Sequence, residues 1–194
     1  GVTVDLVTNK EAILKTRYID DKSGQMVMRL DENDKCKPIQ QLASTGKPMP
    51  YYLIEKSDHD AIVISDYCKG FLHSRDIEQI AQMAKCPTFL DTKKKLGPWC
   101  KNISFIKINE PEWFDNLEYS YDNVIVTKGS KGATYRDKTY DTNPVKVSNV
   151  SGAGDTFLAG LVYKYIDTKI IGDSIDFANE CSSKVVQKRG VVTI

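Results

Sequence analysis

The stretch that decides the fold of this chain reads Gly152-Ala153-Gly154-Asp155-Thr156-Phe157-Leu158-Ala159-Gly160. Its small residues allow a tight turn, in which successive backbone N–H groups point into one concavity. Apolar residues then recur at helical spacing, at Phe157, Leu158, Leu161, Val162 and Tyr165. The pattern predicts a turn at the amino terminus of a helix, where free N–H donors and the helix dipole favour an anion such as a phosphoryl group.

Asp155 places one carboxylate at this predicted helix start. Transfer of a phosphoryl group to a hydroxyl needs a base that takes the alcohol proton and fixed dipoles that hold the developing charge. Asp155 beside a nest of N–H groups would supply both. An acidic residue in a first helical turn is also common in α/β proteins, so the residues alone leave a purely structural role open.

The composition narrows the class of protein and of partner. The 194 residues suffice for one domain with a sizeable core, and 41% of them are hydrophobic and 27% charged. A formal net charge of +1 argues against a nucleic-acid partner. Five cysteines without CxxC spacing disfavour a zinc site and indicate reduced thiols in the cytoplasm. No apolar stretch reaches the length of a membrane span, so we expect no membrane partner.

Short apolar runs alternate with amphipathic segments ahead of the decisive stretch. The runs cover residues 61–65, 88–90, 103–108 and 124–127. This alternation predicts an α/β fold with a mostly parallel sheet and helices on both faces. Polar residues follow each run, and ligands of such sheets bind outside the carboxyl ends of the strands. We therefore expect these polar residues to line one crevice.

The two ends of the chain differ from this pattern. Residues 1–31 are expected to be rich in β structure, with strands over 2–7, 13–19 and 26–30. Residues 32–50, which include three prolines, predict a long irregular connection. Apolar spacing from Ile175 to Val186 predicts a last helix packed on the sheet.

With these segments in view, residues 149–155, Asn-Val-Ser-Gly-Ala-Gly-Asp, resemble the signature of the ribokinase-like (PfkB) carbohydrate kinases. The order of other polar segments extends the resemblance nearly end to end: Asp66-Tyr67-Cys68-Lys69-Gly70, Asp91-Thr92-Lys93, Asn109-Glu110-Pro111-Glu112, Thr127-Lys128-Gly129-Ser130-Lys131-Gly132 and Phe177-Ala178-Asn179. Within the family, residues 15–17 and 25–31 are most similar to bacterial heptose 7-phosphate kinases.

The resemblance implies a ribokinase-like α/β fold in a single kinase domain over residues 1–194, with a small β-rich lid on the substrate side at residues 1–31. It implies ATP and Mg²⁺ as cofactors and a sugar or sugar phosphate as the acceptor. Asp155 would be the base that deprotonates the sugar hydroxyl, and Gly152, Ala153 and Gly154 would form the anion hole.

The resemblance also places residues on the nucleotide side. Asn109 and Glu112 match a box that organises Mg²⁺ through water, although a helix-capping pair would explain the same two residues. Thr127, Gly129 and Gly132 would lie against the nucleotide, or form a plain hairpin turn. Asn179 matches a position near the adenine, or is an ordinary polar helix residue. Lys93 would lie near a phosphate.

On the acceptor side the resemblance implies a cluster of polar residues. Arg17, Gln25 and Arg29 match the heptose-kinase segment that contributes to the sugar-phosphate side, and as alternating strand residues they would equally suit the wet face of a small sheet. Lys69 would meet a substrate phosphate, or stay a solvated surface lysine.

Two departures from the family pattern matter. Asn149 stands where the family usually carries Asp, which leaves activation by a monovalent cation open. The family's amino-terminal part, with the first strands and the sugar-binding loop, is absent, so the domain is expected to be truncated. The resulting open sheet edge would be covered by another chain or a second copy, as in a homodimer, or the natural protein has diverged to manage without a cover.

Three functions follow from these residues. The first is an ATP-dependent kinase of a heptose phosphate or a related phosphorylated sugar. The second is a nucleotide-binding module, derived from such a kinase, without turnover. The third is a kinase of the same family for another sugar or a nucleoside. The intact Gly-Ala-Gly-Asp turn favours the two kinases, whereas the missing sugar loop favours the module.

Overall fold

The computed structural model of the protein describes the chain in the following ranges: residues 1–9, 12–23, 26–39, 54, 58–119, 122–188, 190 and 192. Within them the strands form two separate sheets. One is a two-stranded antiparallel ribbon near the amino terminus, and the other is a six-stranded sheet in which the strands follow their order in the chain.

The ribbon consists of β1 (Leu14–Ile19) and β2 (Met26–Glu32). Arg17 lies directly opposite Arg29, and Lys15 lies opposite Asp31. The strand predicted over residues 2–7 is wrong, since residues 1–9 have no regular structure. Their alternating apolar side chains are largely exposed, and no strand of the described chain pairs with them. Alternation of apolar residues alone was therefore not enough to form a strand.

The six-stranded sheet confirms the predicted mostly parallel α/β fold. Its parallel strands are β3 (Ile62–Asp66), β4 (Thr88–Thr92), β5 (Phe105–Asn109) and β6 (Val124–Thr127). Two short antiparallel strands, β7 (Ala133–Tyr135) and β8 (Lys138–Tyr140), complete it. β3 forms the outer edge of the sheet in the described part of the chain, where an open edge was expected. What covers that edge stays a prediction.

Helices lie on both faces of the sheet because alternate strand residues point to opposite sides. They are α1 (Ser74–Met83), the short α2 (Glu110–Phe114), α3 (Ala153–Thr168) and α4 (Ile171–Val186). On one face Leu90 and Ile106 join Ile77 of α1 in a buried cluster. On the other face buried Phe89 and Ile125 pack with α3 and α4. No helix among the described residues has the length and apolarity needed to span a membrane.

This arrangement brings the carboxyl ends of four parallel strands to one edge of the sheet. The polar segments that follow the strands therefore converge on the amino terminus of α3.

We predict that the turn between β6 and β7 depends on Gly132 far more than on Gly129. Both have positive φ, of 77° and 58°, but a Cβ on Gly132 would lie 2.0 Å from the Tyr140 carbonyl oxygen, whereas a Cβ on Gly129 would meet nothing within 4 Å. Gly132→Ala should lower the free energy of unfolding by about 3 kcal/mol or more, through clash and strain. Gly129→Ala should lower it by only about 1 kcal/mol. Urea unfolding of the two variants measures the difference, and equal losses would contradict this account.

Candidate active site

A cleft of about 560 Å³ opens at the carboxyl ends of the parallel strands. This volume lies within the range of cavities that hold small ligands. The cleft is lined by Asp66, Tyr67, Asp91, Lys93, Lys107, Asn109, Glu110, Pro111, Thr127, Lys128, Gly129, Val150, Gly154 and Asp155. Six residues predicted from the sequence as site residues are among them: Lys93, Asn109, Thr127, Gly129, Gly154 and Asp155.

Helix α3 begins at the cleft without a side-chain cap. Gly152 is its N-cap residue, with φ 81°, a left-handed conformation that favours glycine. The preceding turn is held by Asn149, whose Oδ1 accepts a hydrogen bond of 2.8 Å from the Ser151 N–H. No side chain caps the helix, and of its first N–H groups that of Ala153 donates to the Val150 carbonyl (3.2 Å). The anion hole at Gly152, Ala153 and Gly154 stays a prediction.

Asp155 lies in the first turn of α3 and is exposed to the cleft. Its Oδ1 accepts a hydrogen bond of 2.6 Å from the hydroxyl of Tyr67, which belongs to the loop after β3. Burial, and then the carboxylate of Asp155, raise the pKa of Tyr67 above its ordinary range. The phenol therefore stays protonated and donates to a carboxylate that keeps its second oxygen free of this bond.

A buried ion pair lies directly beneath the start of α3. Lys107 of β5 donates to Asp91 Oδ2 of β4 across 2.7 Å, and both side chains are nearly inaccessible to solvent. A Cβ placed on Gly154 would lie 3.0 Å from the Lys107 Nζ. Lys107 thus brings an ammonium, paired with Asp91, next to the predicted anion site, and the sequence interpretation missed it. A lysine between isoleucines in a buried strand was the available signal, since such a charge needs a partner.

A second buried carboxylate, Asp66 at the end of β3, organises the loop that carries Tyr67. It accepts hydrogen bonds from Thr92 Oγ1 (2.8 Å), Lys94 Nζ (2.5 Å) and the Cys68 N–H (3.1 Å). Cys68 has φ 58°, in the left-handed region. Residues other than glycine seldom adopt this conformation, so the chain turns sharply directly after Tyr67.

Asn109 and Glu112 form the reciprocal cap of α2. Asn109 Oδ1 accepts from the Glu112 N–H (2.8 Å), and Glu112 Oε2 accepts from the Asn109 N–H (2.9 Å). Lys93 donates to Glu112 Oε1. The capping pair named above as the alternative is therefore present. The described residues contain no group of three or more His, Cys, Asp or Glu side chains arranged to hold a metal. One carboxylate with unused lone pairs suits Mg²⁺, which keeps most of its waters.

The other predicted nucleotide residues lie around the cleft or behind it. A short 3₁₀ turn, Gly129–Lys131, connects β6 to β7, so the hairpin alternative for Thr127, Gly129 and Gly132 also describes their local structure. Asn179 is buried in α4, where its Nδ2 donates to the Tyr140 carbonyl (2.9 Å). Asn179 and Gly132 are not in the lining of the cleft.

The predicted acceptor-side residues stand apart from the cleft lining. Lys69 pairs with Asp34, and Arg29 lies 2.8 Å from Asp31. Arg17 faces Arg29 across the ribbon. Gln25 lies outside the described residues. Lys15 of β1 contacts the site, because its Nζ lies 4.5 Å from the ring centroid of the cleft residue Tyr67.

Comparison with known proteins gives results consistent with this geometry. Residues 111–194 match the model of the pfkB family carbohydrate kinases. The resemblance to the ribokinase-like pfkB family is thereby confirmed.

Curated relatives and solved structures match more of the chain than residues 111–194. The chain is similar to the bifunctional protein HldE of Nitratiruptor sp., with 27% identity over 97% of this chain and 44% of the relative. It is 29% identical to HldE of Hydrogenovibrio crunogenus over 88% of this chain and 40% of the relative. The chain thus spans less than half the length of these relatives.

The solved structures show the fold. A ribokinase from Thermotoga maritima superposes with a TM-score of 0.66 at 16% identity, covering 91% of this chain and 64% of that structure. An Arabidopsis thaliana ribokinase, complexed with ribose and ATP, superposes with a TM-score of 0.64 at 17% identity, covering 87% of this chain and 61% of that structure. The ribokinase-like fold expected from the pfkB-type segments is therefore present in this chain.

We predict that the Lys107–Asp91 pair is structurally indispensable. Lys107→Met should lower the free energy of unfolding by about 3 kcal/mol, because Asp91 would keep an unpaired charge in a buried site. Adding Asp91→Asn should recover part of this loss. Lys95→Met is the matched control, because Lys95 is exposed and pairs with exposed Glu118, and it should change stability by less than about 0.5 kcal/mol. Denaturant unfolding compares them, and similar values for both lysines would contradict the prediction.

Proposed function

We propose that this chain carries out ATP-dependent phosphoryl transfer to a hydroxyl of a sugar or sugar phosphate. The observation that carries the proposal is the position of Asp155. Its carboxylate lies in the cleft, in the first turn of a helix that has no side-chain cap, and a buried lysine lies under the same turn. The pfkB family match over residues 111–194 supports the same reaction class.

In the proposed reaction, the terminal phosphate of ATP lies at the amino terminus of α3, between Gly152, Ala153 and Gly154. The acceptor hydroxyl gives its proton to Asp155 as its oxygen bonds to the phosphorus, and ADP leaves with the electron pair of the broken P–O bond. The first-turn N–H groups and the Lys107 ammonium stabilise the negative charge on the transferring group. Asp155 suits the base because its described partner is a neutral phenol, whereas Asp66 and Asp91 are paired with lysines.

The nucleotide would lie along the ends of β5 and β6. Thr127 and Gly129 line this side of the cleft, and Lys93 stands close enough to the site to contact a phosphate. Gly132 and Asn179 do not line the cleft and would support the nucleotide side indirectly, since both contact the Tyr140 carbonyl next to the hairpin. Mg²⁺ held on the phosphates near Asn109 and Glu112, through water, would neutralise phosphate charge when bound. For that role Glu112 would exchange its contact with Lys93 for a hydrated cation.

A heptose 7-phosphate or a related phosphorylated sugar is the acceptor that we propose. The opposed Arg17 and Arg29 support it, since directly opposite residues share one face of the ribbon and two guanidinium groups there could both contact a phosphate, with Arg29 exchanging its contact with Asp31. Gln25 and Lys69 would contribute to the same side. The HldE relatives resemble this chain at only 27–29% identity, so another sugar or a nucleoside is the alternative acceptor within the same reaction class.

A nucleotide-binding module without turnover is the second candidate. It is favoured by the open edge at β3 in the described part of the chain and by the absence of Arg17, Arg29 and Lys69 from the cleft lining. Four further points stay predictions. They are the single truncated kinase domain over residues 1–194, the lid at residues 1–31, the cytoplasmic location and the homodimer. The dependence on monovalent cations, given Asn149, belongs with them.

Substitution of the proposed base tests the reaction. In an ADP-release assay with a panel of sugar phosphates, Asp155→Asn should lower kcat by at least about 100-fold, because general-base catalysis contributes on that scale. Mg-ATP should still raise the thermal unfolding temperature of this variant. Asp167→Asn, at an exposed aspartate on the same helix, should leave kcat unchanged. Thermal stabilisation by Mg-ATP without any ADP release from the wild-type chain would favour the module instead.

Substitution of the ribbon arginines tests the acceptor. Arg17→Ala and Arg29→Ala should each raise KM for a phosphorylated sugar by about tenfold, the worth of one charge-assisted contact, and leave KM for ATP unchanged. Arg75→Ala, at an exposed arginine on α1, provides the control. Equal effects on phosphorylated and unphosphorylated sugars would contradict a phosphate contact at the ribbon.

A further inference from the structure

Tyr67 is a residue that touches both the ribbon and the proposed base. Its hydroxyl donates to Asp155 Oδ1 across 2.6 Å, and its ring lies 4.5 Å from the Lys15 Nζ of β1. An ammonium at this distance from a ring centroid makes a cation–π contact. One side chain therefore connects two elements that lie far apart in the sequence.

The loop that carries Tyr67 is held in place on both sides. Before it, buried Asp66 is paired with Lys94 and Thr92, and after it the Cys68 N–H donates back to Asp66. Lys69 then pairs with Asp34, in the segment that follows β2. The phenol is thus presented to α3 from a fixed backbone, which favours one orientation of its hydroxyl.

The chemistry of the contact is directional. A protonated phenol donates to the carboxylate and occupies one of the two oxygens of Asp155. The carboxylate cannot then rotate freely, and its Oδ2 stays available to a hydroxyl in the cleft. A base held within a narrow range of orientations is more effective than one that samples several.

We propose that Tyr67 is a positioning residue that orients Asp155 and makes this orientation depend on contact between the ribbon and the site. The inference rests on the proposed function, because it assigns Tyr67 a role through the base. The Lys15 ammonium contacts the ring while the hydroxyl bonds to Asp155, so the phenol is held from two elements at once.

The test is Tyr67→Phe, which keeps the ring and its contact with Lys15 but removes the hydroxyl. We expect kcat to fall about tenfold with KM for ATP unchanged, the scale of one hydrogen bond to a charged group. KM for the acceptor should also stay unchanged, because the hydroxyl acts on the base and not on either substrate. Tyr163→Phe, at an exposed tyrosine on the outer part of α3, should match the wild type in both measurements.

A second variant tests the link to the ribbon. Lys15→Met keeps the aliphatic length and removes the charge over the ring. We expect it to lower kcat by a few-fold, and we expect the double variant Lys15→Met/Tyr67→Phe to lose less than the product of the two single effects. Full multiplication of the two effects would overturn the proposed link. If Tyr67→Phe reduces the unfolding temperature, Lys15→Met alone carries this test.

The outcomes distinguish a failure of the proposed function from a failure of the proposed role of Tyr67. If Asp155→Asn retains wild-type turnover, the proposed function fails. If Asp155→Asn loses turnover but Tyr67→Phe keeps the wild-type kcat, the proposed function stands and the role of Tyr67 is overturned. A loss in Tyr67→Phe that appears in KM and not in kcat would also overturn it, since this result indicates a residue that holds substrate and does not orient the base.

Discussion

The close approach of the Lys107 ammonium to the Gly154 backbone is the contact on which the architecture of the site depends. It places a buried positive charge directly under the first turn of α3, where a Cβ at Gly154 would come within 3.0 Å of the nitrogen. Gly154 has no positive φ, so the turn itself does not require glycine there. The need for a small residue comes instead from Lys107 of β5, whose ammonium is held in place by Asp91.

The remaining charges of the cleft are arranged around this contact. The carboxylates at the strand ends and at α2 are held by lysines: Asp91 by Lys107, Asp66 by Lys94 and Glu112 by Lys93. Asp155 differs, because its described hydrogen-bond partner is the hydroxyl of Tyr67. A lysine engages a carboxylate as an ion pair with up to three donors, whereas the phenol supplies one neutral donor to a single oxygen. This difference singles out Asp155 among the acids of the cleft.

Much of the fold followed from local pattern. The apolar runs predicted four strands that the structure contains within two residues of their expected bounds, and the polar segments after them do converge on one cleft. The strand expected over residues 2–7 is absent because a strand needs a neighbour, and alternation describes only one partner of the pair. The capping pair of Asn109 and Glu112 was visible as an alternative because both partners lie within one helical turn.

The sequence by itself determined the order of strands and helices, the uncapped Gly-Ala-Gly-Asp helix start and the side of the sheet on which polar residues collect. These features depend on residues close together in the chain, through backbone conformation and hydrophobic periodicity. Only the tertiary structure decided that Lys107 lies beneath Gly154, that Tyr67 bonds to Asp155 and that Lys15 reaches Tyr67. Those contacts join residues separated by 88 positions in the case of Tyr67 and Asp155, and side-chain packing across the sheet edge, not local sequence, sets their distances.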